Sequence, residues 1–230
     1  MKKILFLAAL MTATLFTACN KCGCGQECAQ KCGENCDQKC EKKCERQCCN
    51  AQGNVGDIVY NAIVTRKSVR AYTDQPVDSL IIDKILRAGM SAPTAVNSQP
   101  WALGVITDRE LLQVLSDTLH QRNPQMVSGC AFAIVVAGDM TKAFEGEGWS
   151  FWVEDCSAMT ENMLLAAHGF GLGACWIGGY PNREKAQKIA DVLNISDRYL
   201  VLDVLTMGYP AEDPDVKDKW NPEAIHYNRW

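Results

Sequence analysis

Arg66, Lys67, Ser68 and Arg70 place three cations and a hydroxyl within five residues of a chain whose net charge is −4. They stand in the octet 65–72, after the apolar-periodic run 58–64 and before Asp74-Gln75-Pro76, where a new element begins. A basic cluster leaving a helix for an extended segment is suited to hold a phosphate. Arg offers forked donors to the oxygens, and Ser adds a neutral one. The same composition also suits a solvated basic turn. The choice depends on what else could surround a phosphorylated ligand.

Three further stretches carry candidate chemistry. The loop 91–101 contains Pro93, Thr94, Asn97 and Gln99, is bracketed by prolines, and suits neither helix nor strand. The glycine-rich stretch 169–179 runs into Trp176-Ile177-Gly178-Gly179, where missing side chains let a ligand approach the backbone. The tail carries Lys219 between Asp218 and Trp220. Trp149, Phe151, Trp152 and Tyr180 are available to line a pocket, although aromatics more often serve a core. Cys130, Cys156 and Cys175 lie in apolar settings and read as buried small hydrophobes. His120, His168 and His226 have no partner pattern. Neither a phosphate P-loop, a nucleophile elbow nor a zinc-protease helix is present, so hydrolase readings have no support. No metal site is assigned, and with a negative net charge no nucleic-acid partner is expected.

The elements that must position these residues follow from periodicity. A helix capped by Asp57 is expected to run to about Thr65, with Ile58, Ala62 and Ile63 inward. A second spans 76–89, with Leu80, Ile81, Ile85 and Leu86 at helical spacing. Residues 102–107 read as a strand, and Thr107 to Glu110 has the capping-box pattern of a helix running to about His120. Residues 131–137 read as a strand buried on both faces, and 139–149 as a mobile lid. The longest helix is expected over 150–169. An extended segment 174–181, a helix 183–193 and a strand 199–207 follow. The tail 208–230 should run extended across a surface. The fold class is α+β, a three-layer α/β/α arrangement on a mixed, mainly antiparallel sheet.

The first 54 residues obey other rules. Residues 1–19 have a basic start, an apolar run of about a dozen residues and small residues before Cys19, the pattern of an export signal. Cys19 after Leu15-Phe16-Thr17-Ala18 resembles the acylated cysteine of a bacterial lipoprotein, which implies a lipid-anchored, extracytoplasmic protein. Ten of the 13 cysteines fall between Cys19 and Cys49, and from Cys24 to Cys48 they recur every fourth residue. The spacers are polar, so 20–54 is expected to be a stalk, not a core. Disulfides in an oxidising compartment, thiolates on a soft metal and an inert charged stalk all remain open. Residues 55–230 are enough for one domain with a substantial core.

Taken in order, the octet, the loop 92–101, the stretch 169–179 and the Lys219 tail resemble the nitroreductase family, over essentially all of 57–230. That resemblance implies a flavin enzyme forming obligate homodimers, with FMN at the dimer interface. It implies that Arg66, Lys67, Ser68 and Arg70 hold the phosphate and polar edge of the flavin, and that Pro93, Thr94 and Asn97 pack on the ring. Gln99 would support that loop from behind. Trp176, Ile177, Gly178 and Gly179 would lie along the isoalloxazine, and Lys219 would reach the phosphate. Relatives often carry an acidic residue at the position of Gly178, and any role of such a side chain is absent here. Trp149, Phe151 and Tyr180 would line the substrate side. The implied reaction is ping-pong hydride transfer from NAD(P)H or another donor to a nitroaromatic, quinone or similar small acceptor. No obligatory catalytic side chain is needed, because the cofactor carries the chemistry. Two other functions remain open: a lipoprotein that captures a flavin or heterocycle, and a metal-sequestering surface protein.

Overall fold

Phe132–Asp139 and Tyr199–Gly208 are the two strands whose residues are almost all buried, and they pair antiparallel at the centre of the sheet. The computed structural model describes residues 54–119, 122–146 and 149–230. The export signal, the Cys19 lipidation site and the cysteine repeat lie outside the described residues. The chain divides into two compact units, 1–58 and 59–230, and of the first only the start of one helix is described.

In chain order the elements are α1 (Val55–Thr65), α2 (Ser79–Met90), β1 (Trp101–Ile106), α3 (Arg109–Leu119), α4 (Gln125–Ser128), β2 (Phe132–Asp139), β3 (Glu145–Gly146), β4 (Trp149–Ser150), α5 (Trp152–Gly169), β5 (Gly173–Gly178), α6 (Arg183–Val192) and β6 (Tyr199–Gly208). The main sheet has the order β1-β2-β6-β5, with every neighbouring pair antiparallel. A single parallel bridge, Ser68 to Ala174, adds the octet beside its β5 edge and makes the pairing mixed. A bulge between Val136 and Ala137 shifts the register of β2 on β6.

Each sheet face carries its own core. Ile134, Val136, Leu205 and Met207 pack with Ile85 of α2 and Met159 and Met163 of α5. Ala133, Val135, Val201 and Val204 pack with Leu112 and Leu115 of α3 and Ile189 of α6. This is the three-layer arrangement. Each fully buried Leu, Ile, Phe or Met here contributes about 1.5–3 kcal/mol of transfer free energy. Helices α2 and α5 approach so closely that a Cβ on Gly89 would stand 2.6 Å from Met163 Cγ.

Several boundaries differ from expectation for local reasons. Helix α1 starts at Val55, where Asn54 Oδ1 accepts the Gly56 N–H, so Asp57 lies in the first turn and is not the cap. No residue of α1 is buried: Ile58 is 56 % and Ile63 is 51 % exposed, against their expected inward orientation. An apolar stripe reveals that a face wants cover, not what covers it. Helix α2 begins after Pro76, where Asp78 accepts the Leu80 N–H at 2.9 Å, and Leu80 is exposed instead of inward. Asp108, not Thr107, caps α3, taking the Leu111 N–H at 2.8 Å. Ser150 belongs to β4, so α5 starts two residues later than expected.

The expected lid is anchored at its root. Asp139 accepts from Arg198 Nε at 2.8 Å and from both the N–H and hydroxyl of Thr141, and these donors hold its carboxyl well below the usual range. A short β3–β4 hairpin follows. The tail runs out through a 3-10 turn at Pro222–Ala224, and its aromatics Trp220, Tyr227 and Trp230 are exposed instead of laid on a surface. Cys130, Cys156 and Cys175 are buried free thiols, as expected. Among the described residues no helix is long and apolar enough to cross a membrane.

Candidate active site

The octet is held against β5 and β6 by its apolar and aromatic members, which leaves its cations outward. Val69 is buried, and its N–H donates to the Ala174 carbonyl at 3.0 Å. A Cβ at Gly173 would stand 2.6 Å from Val69 Cγ1, so only glycine lets the octet lie this close to the strand. The Tyr72 hydroxyl donates to the Val69 carbonyl at 2.7 Å, with Thr206 Oγ1 2.8 Å away. Burial pushes that hydroxyl far above its ordinary pKa and keeps it a donor.

The turn that delivers β5 to the octet is a Schellman closure. Gly171 takes a positive φ of 75°, its N–H reaches the His168 carbonyl at 2.9 Å, and the Leu172 N–H reaches the Ala167 carbonyl at 2.9 Å. His168 also pairs with Thr65 Oγ1 at 2.9 Å, an assignment its isolated sequence position did not suggest. Because the Thr65 hydroxyl donates to the Asn61 carbonyl, the imidazole must be the donor. Burial, with the nearby Arg66 and Lys67 cations, holds His168 below its ordinary pKa.

Along β5 the side chains alternate. Cys175 and Ile177 are buried, while Trp176, at 38 %, and Gly178 are exposed. The side chain of Ile177 therefore belongs to the core, and only its backbone is available to a ligand. A Cβ on Gly178 would meet nothing within 4 Å, so this position offers bare backbone on an open edge. Gly179 differs: its N–H donates to the Leu202 carbonyl at 2.8 Å, and a Cβ there would crowd that oxygen at 3.1 Å.

The loop bearing Pro93, Thr94 and Asn97 is strained and braced. Val96, Asn97 and Gln99 have φ values of 47°, 56° and 49°, which for a β-branched valine is an outlying conformation. Thr94 Oγ1 accepts the Gln99 N–H, and Gln99 Nε2 donates to Asn97 Oδ1 at 3.3 Å, the supporting role expected of Gln99. Asp155 of α5 accepts the Ala95 N–H at 2.8 Å and ties the loop to the longest helix. Burial raises the pKa of Asp155. Ser98 Oγ is buried and without a partner in this loop.

The other expected residues are placed less closely. Tyr180 is half-buried, edge-on to Trp152 with ring centroids 5.0 Å apart, and Phe151 stacks on Phe144 at 5.9 Å. The side chain of Trp149 lies outside the described part. Lys219 is exposed and forms no hydrogen bond or ion pair with a described residue.

Four residues at this site escaped the sequence reading. Asp155 braces the loop; Glu161 of α5 pairs with Arg66 Nε at 3.1 Å; Asp213 pairs with Lys67 Nζ at 2.5 Å; Glu212 accepts the Arg70 N–H at 2.6 Å. Each acts across a large sequence separation, where no local pattern signals a partner.

The arrangement is a row of fixed cations beside a strand edge that presents one aromatic face and one bare backbone. It suits a ligand with a phosphate at one end and a flat ring at the other. The nitroreductase family model matches residues 63–127 and 121–209. The chain belongs to the nitroreductase family. A protein of Archaeoglobus fulgidus that bears the name NADH dehydrogenase/NAD(P)H nitroreductase is 39% identical over 171 residues, 73% of this chain and 96% of its own length. A solved structure of the same name from Parabacteroides distasonis is 37% identical, covers 75% of this chain and 99% of its own, and superposes with a TM-score of 0.69. A nitroreductase from Desulfovibrio desulfuricans, solved in complex with FMN, is 28% identical over 75% of this chain and 97% of its own, with a TM-score of 0.65. The nitroreductase match thus takes in the octet, the loop and β5, while Lys219 lies beyond residue 209.

Proposed function

We propose that this nitroreductase-family chain is an FMN-dependent oxidoreductase that carries reducing equivalents from NAD(P)H to a nitroaromatic, quinone or similar small acceptor. The observation that carries this reading is the octet fixed by Val69, Gly173 and Tyr72 beside the open Trp176–Gly178 edge. The residues fit the cofactor. Arg66, Lys67, Ser68 and Arg70 supply donors for a phosphate and an electron-rich ring edge, and Gly178 leaves room for the ring. The orphaned Ser98 hydroxyl supplies a further polar group in the strained loop.

When bound, FMN supplies hydride acceptance and release. The chain's own residues bind, orient and tune. A cation at Arg70 beside the ring would stabilise negative charge that develops there on reduction. Asp155 holds the loop backbone through Ala95, which fixes where Pro93, Thr94 and Asn97 can touch the ring. No side chain is required to move a proton in the transfer step.

The active form is proposed to be a homodimer. Val59, Tyr60, Ile63 and Val64 of α1, and separately Trp220 of the tail, are exposed apolar side chains that a second copy would cover. Lipid anchoring through Cys19 outside the cytoplasm is part of the same proposal, and Cys19→Ala should move the protein from the membrane to the soluble fraction. That address conflicts with NAD(P)H as donor, since nicotinamides are cytoplasmic. A membrane quinol or a reduced partner is the alternative source of electrons.

The test is a coupled spectrum and turnover. Purified protein should be yellow and should oxidise NADH with a nitroaromatic or quinone, whereas Arg66→Ala and Arg70→Ala should each be folded but colourless or easily bleached. Tight FMN in both variants would refute this assignment.

A further inference from the structure

Three donors of the octet are held by carboxylates of the chain itself. Arg66 Nε donates to Glu161 at 3.1 Å, Lys67 Nζ to Asp213 at 2.5 Å, and the Arg70 backbone N–H to Glu212 at 2.6 Å. The three contacts are not equivalent. Glu161 is carried by the long helix α5 and meets Arg66 through Nε alone, which leaves the terminal fork of that guanidinium for another anion. Glu212 and Asp213 belong to the irregular tail, and the Asp213 side chain is 94% exposed.

The tail is strapped to the octet only as far as Ala211. The Thr73 N–H donates to the Tyr209 carbonyl at 2.8 Å, and the Ala211 N–H donates to the Ala71 carbonyl at 2.9 Å. Tyr72 bridges Pro210 between them. Beyond Ala211 the two carboxylates are what join the tail to the octet. Their negative oxygens occupy a side-chain donor and a backbone donor that lie three residues apart on the octet.

We infer that Glu212 and Asp213 are built-in surrogates for a phosphate, which hold the octet's donors until a phosphomonoester displaces them and so compete with a phosphorylated ligand but not with the same ligand without its phosphate. Lys67 is 22% exposed, but its partner Asp213 lies in solvent, and a pair open on its carboxylate side contributes little and can be exchanged. A phosphomonoester carries a charge of about −1.5 to −2 near neutral pH and three acceptor oxygens, so it replaces both carboxylates at once. A ligand without the phosphate offers nothing in exchange, and the carboxylates stay on Lys67 and Arg70. The cost of this arrangement is competition: each carboxylate must leave, and its charge repels the incoming phosphate. Removing the Asp213 charge therefore strengthens phosphomonoester binding and leaves the unphosphorylated ligand unaffected.

This inference rests on the flavin-phosphate reading above, and the experiment separates the two. Full-length wild type, Asp213→Asn and Glu212→Gln are stripped of flavin and titrated with FMN and with riboflavin, following flavin fluorescence. Asp213→Asn should bind FMN about three- to tenfold more tightly, the range of one exposed ion pair plus its repulsion. Riboflavin affinity should be the same in all three proteins. Unchanged or weaker FMN binding overturns the surrogate role, as does equal tightening for both flavins. Should none of the proteins bind flavin, the flavin assignment fails while the surrogate role is still decided by titration with inorganic phosphate. Tighter phosphate binding by Asp213→Asn sustains the role, and unchanged binding overturns it.

Discussion

Asp203→Asn should remove most of the pH dependence of this protein's stability between about pH 4 and pH 8. Asp203 is fully buried on β6, its Oδ2 accepts from the Thr160 hydroxyl at 3.0 Å, and its Oδ1 has no partner. Burial raises its pKa from 3.8 to about 8, against a smaller lowering by the Thr160 bond. The neighbouring Cys156 thiol is itself pushed to about 12, first by burial and then by Asp203 and Asp155. In the unfolded chain the carboxyl loses its proton near its ordinary value, while the folded protein keeps it until about pH 8. The folded state therefore binds more protons across that window, and stability falls as pH rises through it. The slope is roughly 1.4 kcal/mol per pH unit, which accumulates to about 4 kcal/mol by pH 7 and levels off above pH 8. Asparagine never ionises, and its carbonyl still accepts from Thr160. Urea unfolding of both proteins at one concentration, at pH 5, 6, 7 and 8, measures the difference directly. The gap between variant and wild type should widen by about 3 kcal/mol from pH 5 to pH 7. Parallel curves for the two proteins would show that Asp203 is not protonated in the fold.

Gly173→Ala should force the octet off β5, since its Cβ would meet Val69 at 2.6 Å; a loss of about 1–3 kcal/mol in chemical denaturation and much weaker FMN binding are expected. Gly178→Leu is the converse, because no atom lies within 4 Å of that position: stability should change by less than about 0.5 kcal/mol while flavin absorbance is lost. Asp155→Ala should free the Ala95 N–H and loosen the strained loop, seen as faster hydrogen exchange at Ala95 and weaker flavin binding with little change in global stability.

Much of the candidate site was legible because its residues are consecutive. Arg66 to Arg70 and Trp176 to Gly179 are runs in which residue type alone states the available chemistry. The loop 91–101 declared itself through its prolines. What could not be read were the anions that complete the picture. Glu161, Glu212 and Asp213 meet the octet across 95, 142 and 146 residues, and a charge in a polar tail looks the same whether paired or solvated. Ile177 adds what its run did not state: strand alternation turns its side chain into the core and leaves its backbone to a ligand.

The sequence by itself determined the element types, the apolar strands that make two cores, and the basic octet beside a glycine-rich segment. These depend on local composition and period, which the chain carries in adjacent residues. Tertiary structure alone decided that Gly173 admits Val69, that the stripe on α1 is not buried by the described residues, and that a distant acidic tail closes on Lys67 and Arg70. Each is a contact between residues far apart in the chain. Its energy depends on shape and distance in the folded state, and neither is a property of any local window.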